Sequence, residues 1–344
     1  MVLVTFVLPL SLIEVILRTT NIGSPHAFVV HNDLVLKGRP HARFVNRSEN
    51  VREVRYNNWG FHDRDRGTSM EAHRVLMLGD SFVEGRQVPV GLTFTALIER
   101  TYRDRGVPTE VINAGFSGTG TAHQYALWRT FFKSRIEIDH LIIFVFLGND
   151  LEDNGLSLGN RQLVYVPYVT TDGGIDVVKD ESLRRHAFVW ARRQSALLNT
   201  AAQGYAVFRR WWSDRGDGGG SPMVAADNGV NSAEAWTETV SATLRLIERW
   251  SAETGAGSVK FSVVMINPAT FYRTGTYRNH HYVDFKKGLQ DLSRRIDMPL
   301  LELDFSRYPP EQLYSHDGIT LGHFNELGHR LAADQIFDWL SSHN

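Results

Sequence analysis

The chain has 344 residues, 42% of them hydrophobic and 22% charged, with a formal net charge of −1. That length supports a sizeable core, and one α/β domain with additions is the expected arrangement. Balanced charge leaves no electrostatic footprint for nucleic acid. The absence of cysteine excludes disulfides, thiolate metal sites and cysteine nucleophiles.

Residues 1–19 form an apolar start, with Val2 to Leu17 reading VLVTFVLPLSLIEVIL. It is short against the roughly 20 apolar residues of a spanning helix. It also lacks the basic start and cleavage site of a secretory signal. A membrane anchor through residues 2–17 is the expectation, set against a first helix packed into the domain. Arg18 follows it, which by the positive-inside rule alone would leave the rest in the cytoplasm.

Residues 20–70 are polar. Val51 to Tyr56 alternates as a half-exposed strand does, and Asn57-Asn58-Trp59-Gly60 reads as a turn. This region is expected to be a strand-rich extension covering a main domain over 71–344. There, Arg74 to Leu78 is a buried strand running into Gly79-Asp80-Ser81-Phe82. A helix fits Thr93 to Arg103. Glu110 to Asn113 is a second strand, entering Asn113-Ala114-Gly115, and a helix fits Gln124 to Phe132. His140 to Leu147 is apolar throughout, like a parallel strand covered on both faces, and leads to Gly148-Asn149-Asp150. Lys260 to Ile266 and Pro299 to Leu303 complete five strands. Helices fit 232–253, 283–296 and 326–342. Strand alternating with helix predicts a parallel sheet with right-handed crossovers. Residues 155–230 break the rhythm as an insertion. It holds a strand-like Gln162 to Val169, a helical Leu183 to Trp212 and a loop from Asp214 to Asp227.

Ligands of open α/β sheets bind beyond the carboxyl ends of the strands, so Ser81, Gly115 and Asn149 should converge on one rim. Ser81 is the candidate nucleophile, which needs a base to take its proton. Gly115 and Asn149, with the Ser81 N–H, are the candidate oxyanion donors. His323, in Gly322-His323-Phe324-Asn325, is the candidate general base. Asp80 and Asp150 read as structural, bonding loop amides. Position 83 is Val, so the Gly-x-Ser-x-Gly elbow is absent. His329 reads as a packing or capping residue at a helix start. His323 and His329 lack helical ligand spacing, and His280-His281 reads as a solvated pair, so neither a metal nor another cofactor is expected.

Ser81, Gly115, Asn149 and His323 together resemble the name-giving residues of the SGNH (GDSL-like) hydrolases, over residues 74–340. The resemblance implies an α/β fold, a three-layer α/β/α flavodoxin-like domain with a five-stranded parallel sheet, and ester or acyl-transfer chemistry. The upstream Asn32 to Leu36 and Asn58 to Arg64, the apolar start and Gly148 to Asn154 are similar to a membrane-anchored bacterial branch associated with surface polysaccharide. That likeness implies the cell envelope, with anchoring in the inner membrane and the domain facing the periplasm. The family's triad Asp normally lies two or three residues before the His, where this chain has Leu321 and Thr320. Asp317, six residues before His323, is the expected substitute, against a Ser-His dyad.

Three functions follow from this reading. One is a serine esterase removing short acyl groups such as O-acetyl from an acylated small molecule or carbohydrate. The second is an O-acyltransferase to a polysaccharide hydroxyl. The third is a catalytically silent carbohydrate-binding assembly protein. Trp59, Trp128, Trp190, Trp211 and Trp212 are candidates for stacking on sugar rings, with core packing as the plainer role.

Overall fold

The computed structural model describes residues 2–20, 27–32, 35–46, 49–69, 72–156, 158, 166–178, 183–213, 232–316 and 321–343. The chain opens with helix α1 (Val2–Thr19). Two antiparallel hairpins follow, β1 (Phe28–His31) with β2 (Val35–Gly38) and β3 (Arg43–Asn46) with β4 (Arg52–Arg55). The expected extension is therefore strand-rich, as its alternation at 51–56 suggests.

The main domain then alternates. Strand β5 (His73–Gly79) leads to α2 (Ser81–Glu84) and α3 (Phe94–Asp104), β6 (Thr109–Gly115) to α4 (Thr121–Leu127), and β7 (His140–Phe146) to α5 (Asp150–Asn154). Helix α4 continues into a π turn over Trp128–Phe132, where the sequence pattern suggested one unbroken helix. The insertion contributes the hairpin β8 (Val166–Val169) with β9 (Ile175–Val178), then α6 (Leu183–Gln194) and α7 (Ala196–Ser213). Its Asp214 to Asp227 loop lies outside the described residues. Next come α8 (Ala233–Gly255), β10 (Lys260–Ile266), α9 (Ala269–Thr274), α10 (His281–Ile296) and β11 (Leu300–Glu302). The chain closes with α11 (Pro310–Leu313), the hairpin β12 (Tyr314–His316) with β13 (Leu321–Phe324), and α12 (Glu326–His343).

The central sheet has five parallel strands in the order β11-β10-β7-β5-β6. Numbered along the chain within that sheet, this is the doubly wound flavodoxin-like order 2-1-3-4-5. Helices cover both faces, giving the three-layer α/β/α domain. The strands are apolar on both sides because both sides are buried. Leu76, Leu78, Leu141, Ile143 and Val263 pack under α4, α8 and α10, beside Trp250 and Phe285. Val75, Met77, Ile142, Phe144 and Val264 pack under α3 and α12, beside Phe94, Ile98 and Ile336. Alternate residues of one strand thus feed opposite layers.

The extension is locked to this domain by buried ions. The Arg66 guanidinium binds both oxygens of Asp63 at 2.8 Å, Glu99 at 2.5 Å and the Val111 carbonyl at 2.6 Å. Asp63 in turn accepts the Asn113 N–H at 3.1 Å, on β6. A buried guanidinium is tolerable only when its donors are satisfied in this way.

The expected membrane anchor is not supported. Among the described residues no helix is long and apolar enough to cross a membrane. Helix α1 has 18 residues. Its polar residues are used within the chain. Glu14 accepts N–H groups from Ala196 at 2.9 Å and Leu197 at 2.8 Å and the Ser195 hydroxyl at 2.9 Å, capping α7. Partial burial would raise its pKa, but these bonds bring it down to about 2. Arg18 adds a bond to the Gln194 carbonyl. Glu14→Ala is expected to cost the start of α7 about 1 kcal/mol, read as faster hydrogen exchange at the Ala196 and Leu197 amides.

Candidate active site

In-register pairing sets Gly79 beside Gly115 and Phe146 beside Ile266, so the loops after β5, β6, β7 and β10 meet at one edge of the sheet. Ser81 opens α2 there. Asp80 caps that short helix, its Oδ1 accepting the Phe82 N–H at 2.9 Å. Gly85 closes it in the left-handed conformation, with φ of 64°.

His323 reaches Ser81 from β13, a strand absent from the sequence reading. His323 Nε2 lies 2.6 Å from Ser81 Oγ, the contact a general base needs. On its other side His323 Nδ1 bonds the Glu49 carboxylate, which also accepts the His323 backbone N–H at 3.0 Å. Glu49 comes from the turn between β3 and β4, and its side chain is 5% exposed. Asp317, expected in this position, lies outside the described residues; Glu49 fills the Nδ1 side. A Cβ on Gly322 would fall on the Glu49 carboxyl, so the glycine before His323 makes room for it.

Burial disfavours the charged imidazole, but the Glu49 hydrogen bond and charge, with Asp80 adding, hold the His323 pKa above the ordinary value. Burial also raises Asp80, to about 6, against its bond from Phe82 and the charge of His323. Asp80 Oδ2 is 3.4 Å from Ser81 Oγ, a far weaker contact than that to His323.

The second block has a different use for Gly115. Its N–H donates to Asn113 Oδ1 at 3.0 Å, within its own strand. A Cβ at Gly115 would fall on the backbone nitrogen of Glu84, so glycine here permits close approach of β6 to α2. Asn113 also donates to the Val83 carbonyl at 2.7 Å, tying the two loops together.

In the third block, Asn149 Nδ2 donates to Asp153 Oδ2 at 2.8 Å, leaving the second N–H of the amide for another acceptor. Asn149 Oδ1 is buried with no partner among the described residues. Asp150 accepts the Phe146 N–H at 3.0 Å, as a loop-bonding acid. Burial first, then the Asp80 charge, hold Asp150 well above the usual carboxylate range. Burial likewise pushes Glu152 and Asp153 up to about 7. The rim beside Asn149 is therefore acidic by composition, with carboxyls that are easier to protonate than exposed ones.

Glu84 is the residue whose importance the motif hid. Fully buried in α2, it accepts Tyr56 OH at 2.6 Å from the extension and the Ser117 N–H at 2.9 Å from the loop after β6. It also pairs with Arg86 at 2.8 Å. Burial opposes its ionisation, yet the Arg86 charge and these bonds keep its pKa below the usual range. His329 is likewise structural: buried in the first turn of α12, it accepts the Phe94 N–H at 3.3 Å and stays neutral, its pKa lowered to about 3 by burial.

Of the aromatic candidates, Trp59 and Trp128 are core residues. Trp190 is 64% exposed on α6. The side chains of Trp211 and Trp212 lie outside the described residues.

No family model and no curated protein matches the chain. Among solved structures it is similar to a lipase/acylhydrolase from Enterococcus faecalis, with 16% identity and a TM-score of 0.41 over 79% of this chain and 96% of that one. It is similar to the esterase EstA from a Pseudoalteromonas species, with 12% identity and a TM-score of 0.40 over 78% and 97%. It is also similar to the acetyl xylan esterase AlAXEase, with 15% identity and a TM-score of 0.42 over 77% and 98%. The chain's own geometry stands beside these likenesses: a serine, an imidazole and a carboxylate in line at a sheet's carboxyl edge form a serine-hydrolase constellation.

Glu49→Gln keeps the side chain's size and removes the charge that backs the imidazole. It is expected to lower kcat/KM by about 10²- to 10⁴-fold and to move the acid limb of the pH profile downward. The sign follows from the base working neutral: wild-type activity rises only as pH passes the raised His323 pKa. Rates of ester hydrolysis across the neutral range check both effects. Gly322→Ala is expected to reproduce the loss by displacing Glu49. Separately, Glu84→Ala, which leaves the half-buried Arg86 without its carboxylate partner, is expected to cost about 3 kcal/mol, measured by denaturant unfolding.

Proposed function

We propose that this protein is a serine esterase of SGNH type that removes short acyl groups, such as O-acetyl, from carbohydrate. The observation that carries the reading is the 2.6 Å contact of Ser81 Oγ with His323 Nε2, on an imidazole backed by Glu49.

In this mechanism Ser81 Oγ attacks the ester carbonyl while its proton passes to His323 Nε2. Glu49 fixes the tautomer with the proton on Nδ1 and stabilises the imidazolium. The oxyanion is met by the Ser81 N–H and the second N–H of the Asn149 amide, held in place by Asp153. His323 then gives its proton to the leaving alcohol, and water, activated by the same imidazole, releases the acid. A sugar hydroxyl in place of that water would make the same site an O-acyltransferase. A purely binding role leaves the Ser81–His323 contact without a use.

The test is hydrolysis of p-nitrophenyl acetate and of a longer-chain ester, with Ser81→Ala as control and fluorophosphonate labelling alongside. The expected result is Ser81-dependent turnover that favours acetate. Labelling without turnover would indicate a transferase awaiting its acceptor. Neither labelling nor turnover in folded protein would overturn the enzyme reading.

A further inference from the structure

Away from Ser81, one group of ligand-type side chains gathers at the start of α10. The donor atoms of His280, His281 and Asp284 all lie within 4.8 Å of one another. The two imidazole centroids are 3.9 Å apart, and His281 Nδ1 is 3.8 Å from Asp284 Oδ2. We propose that these three residues bind a first-row divalent metal ion of the zinc class.

The helix explains the convergence. His280 precedes α10 but already has helical angles, φ −62° and ψ −27°. Asp284 therefore stands four residues after one histidine and three after the other, spacings that share a helix face. Two imidazoles and a carboxylate are a donor set that suits zinc and its neighbours in the first transition row.

The site is partly built in advance. His281 is buried, and its ring stacks on Trp236 of α8 at 5.5 Å with only 3° between the planes. Its backbone N–H is held by Asn279 Oδ1 at 3.1 Å. His280 and Asp284 are exposed, which gives an ion access from solvent. His280 also lines a cavity of about 560 Å³ with Phe271, Tyr277, Lys286 and Gln290. Three protein ligands leave at least one coordination position for water or an anion from that cavity. The intervening Tyr282 donates its hydroxyl to Glu152, on the helix that begins beside Asn149. An ion here would therefore brace the junction between α10 and α5.

The test is Co²⁺ titration of the full chain, followed by visible absorption and equilibrium dialysis, on wild type, His280→Ala and Asp284→Asn. Both variants alter exposed side chains, and circular dichroism confirms that they fold. The expected result is one Co²⁺ equivalent in wild type, bound at least roughly tenfold more weakly in each variant, with a metal-dependent rise in Tm confined to wild type. Equal binding by all three proteins, or binding by none, would overturn the proposal. Because the readout is binding, it stands or falls separately from ester hydrolysis.

Discussion

A serine hydroxyl needs a neighbouring base to become a nucleophile, and here the imidazole that faces Ser81 is held by a carboxylate 274 residues away in sequence. Glu49 grips both Nδ1 and the backbone N–H of His323, fixing the ring and the strand that carries it. The acid arrives with the extension, so under the proposed mechanism the extension is part of the site rather than a cover on it. Its own seating is then a condition of chemistry. Arg66, Asp63 and Glu99 lock one side, and Tyr56 reaches Glu84 on the other. Buried ions of this kind add little net stability, but removing one partner is costly, which makes them good at specifying a single arrangement.

The parallel sheet supplies the rest. In-register strands end level, so their following loops meet at one edge, and the helices on both faces keep that edge fixed. Glu84 joins the loop carrying Ser81 to the loop after β6 and to the extension in one buried carboxylate. The rim thus has two kinds of acid. Glu84 is satisfied and held ionised, whereas Asp150, Glu152 and Asp153 are pushed upward by burial and are easier to protonate.

What the sequence made legible was local. The apolar runs marked all five sheet strands, and the glycine-rich junctions after them placed Ser81 and Asn149 at the carboxyl edge. Glu49 left no such trace: it sits in a polar turn, and only tertiary docking of the extension carries it to His323. The β12–β13 hairpin was missed because its strands are three and four residues long, too short to show alternation. At Gly115 the sequence did not show the close approach of β6 to α2, which by itself calls for glycine. The apolar start suggested a membrane span, but among the described residues no helix is long and apolar enough to cross a membrane, and Glu14 and Arg18 bond the α6–α7 junction. His280 and His281 read as a solvated pair until the helix start set Asp284 beside them.

The proposed role of Glu49, not of a residue nearer His323 in the chain, is to set the state of the imidazole. It is tested most directly by ¹⁵N NMR of the His323 ring through a pH titration, in wild type, Glu49→Gln and Asp317→Asn. Wild type is expected to show a protonated Nδ1 when the ring is neutral and a pKa above the ordinary value, falling in Glu49→Gln and unmoved in Asp317→Asn. A His323 titration unchanged in Glu49→Gln but shifted in Asp317→Asn would contradict it.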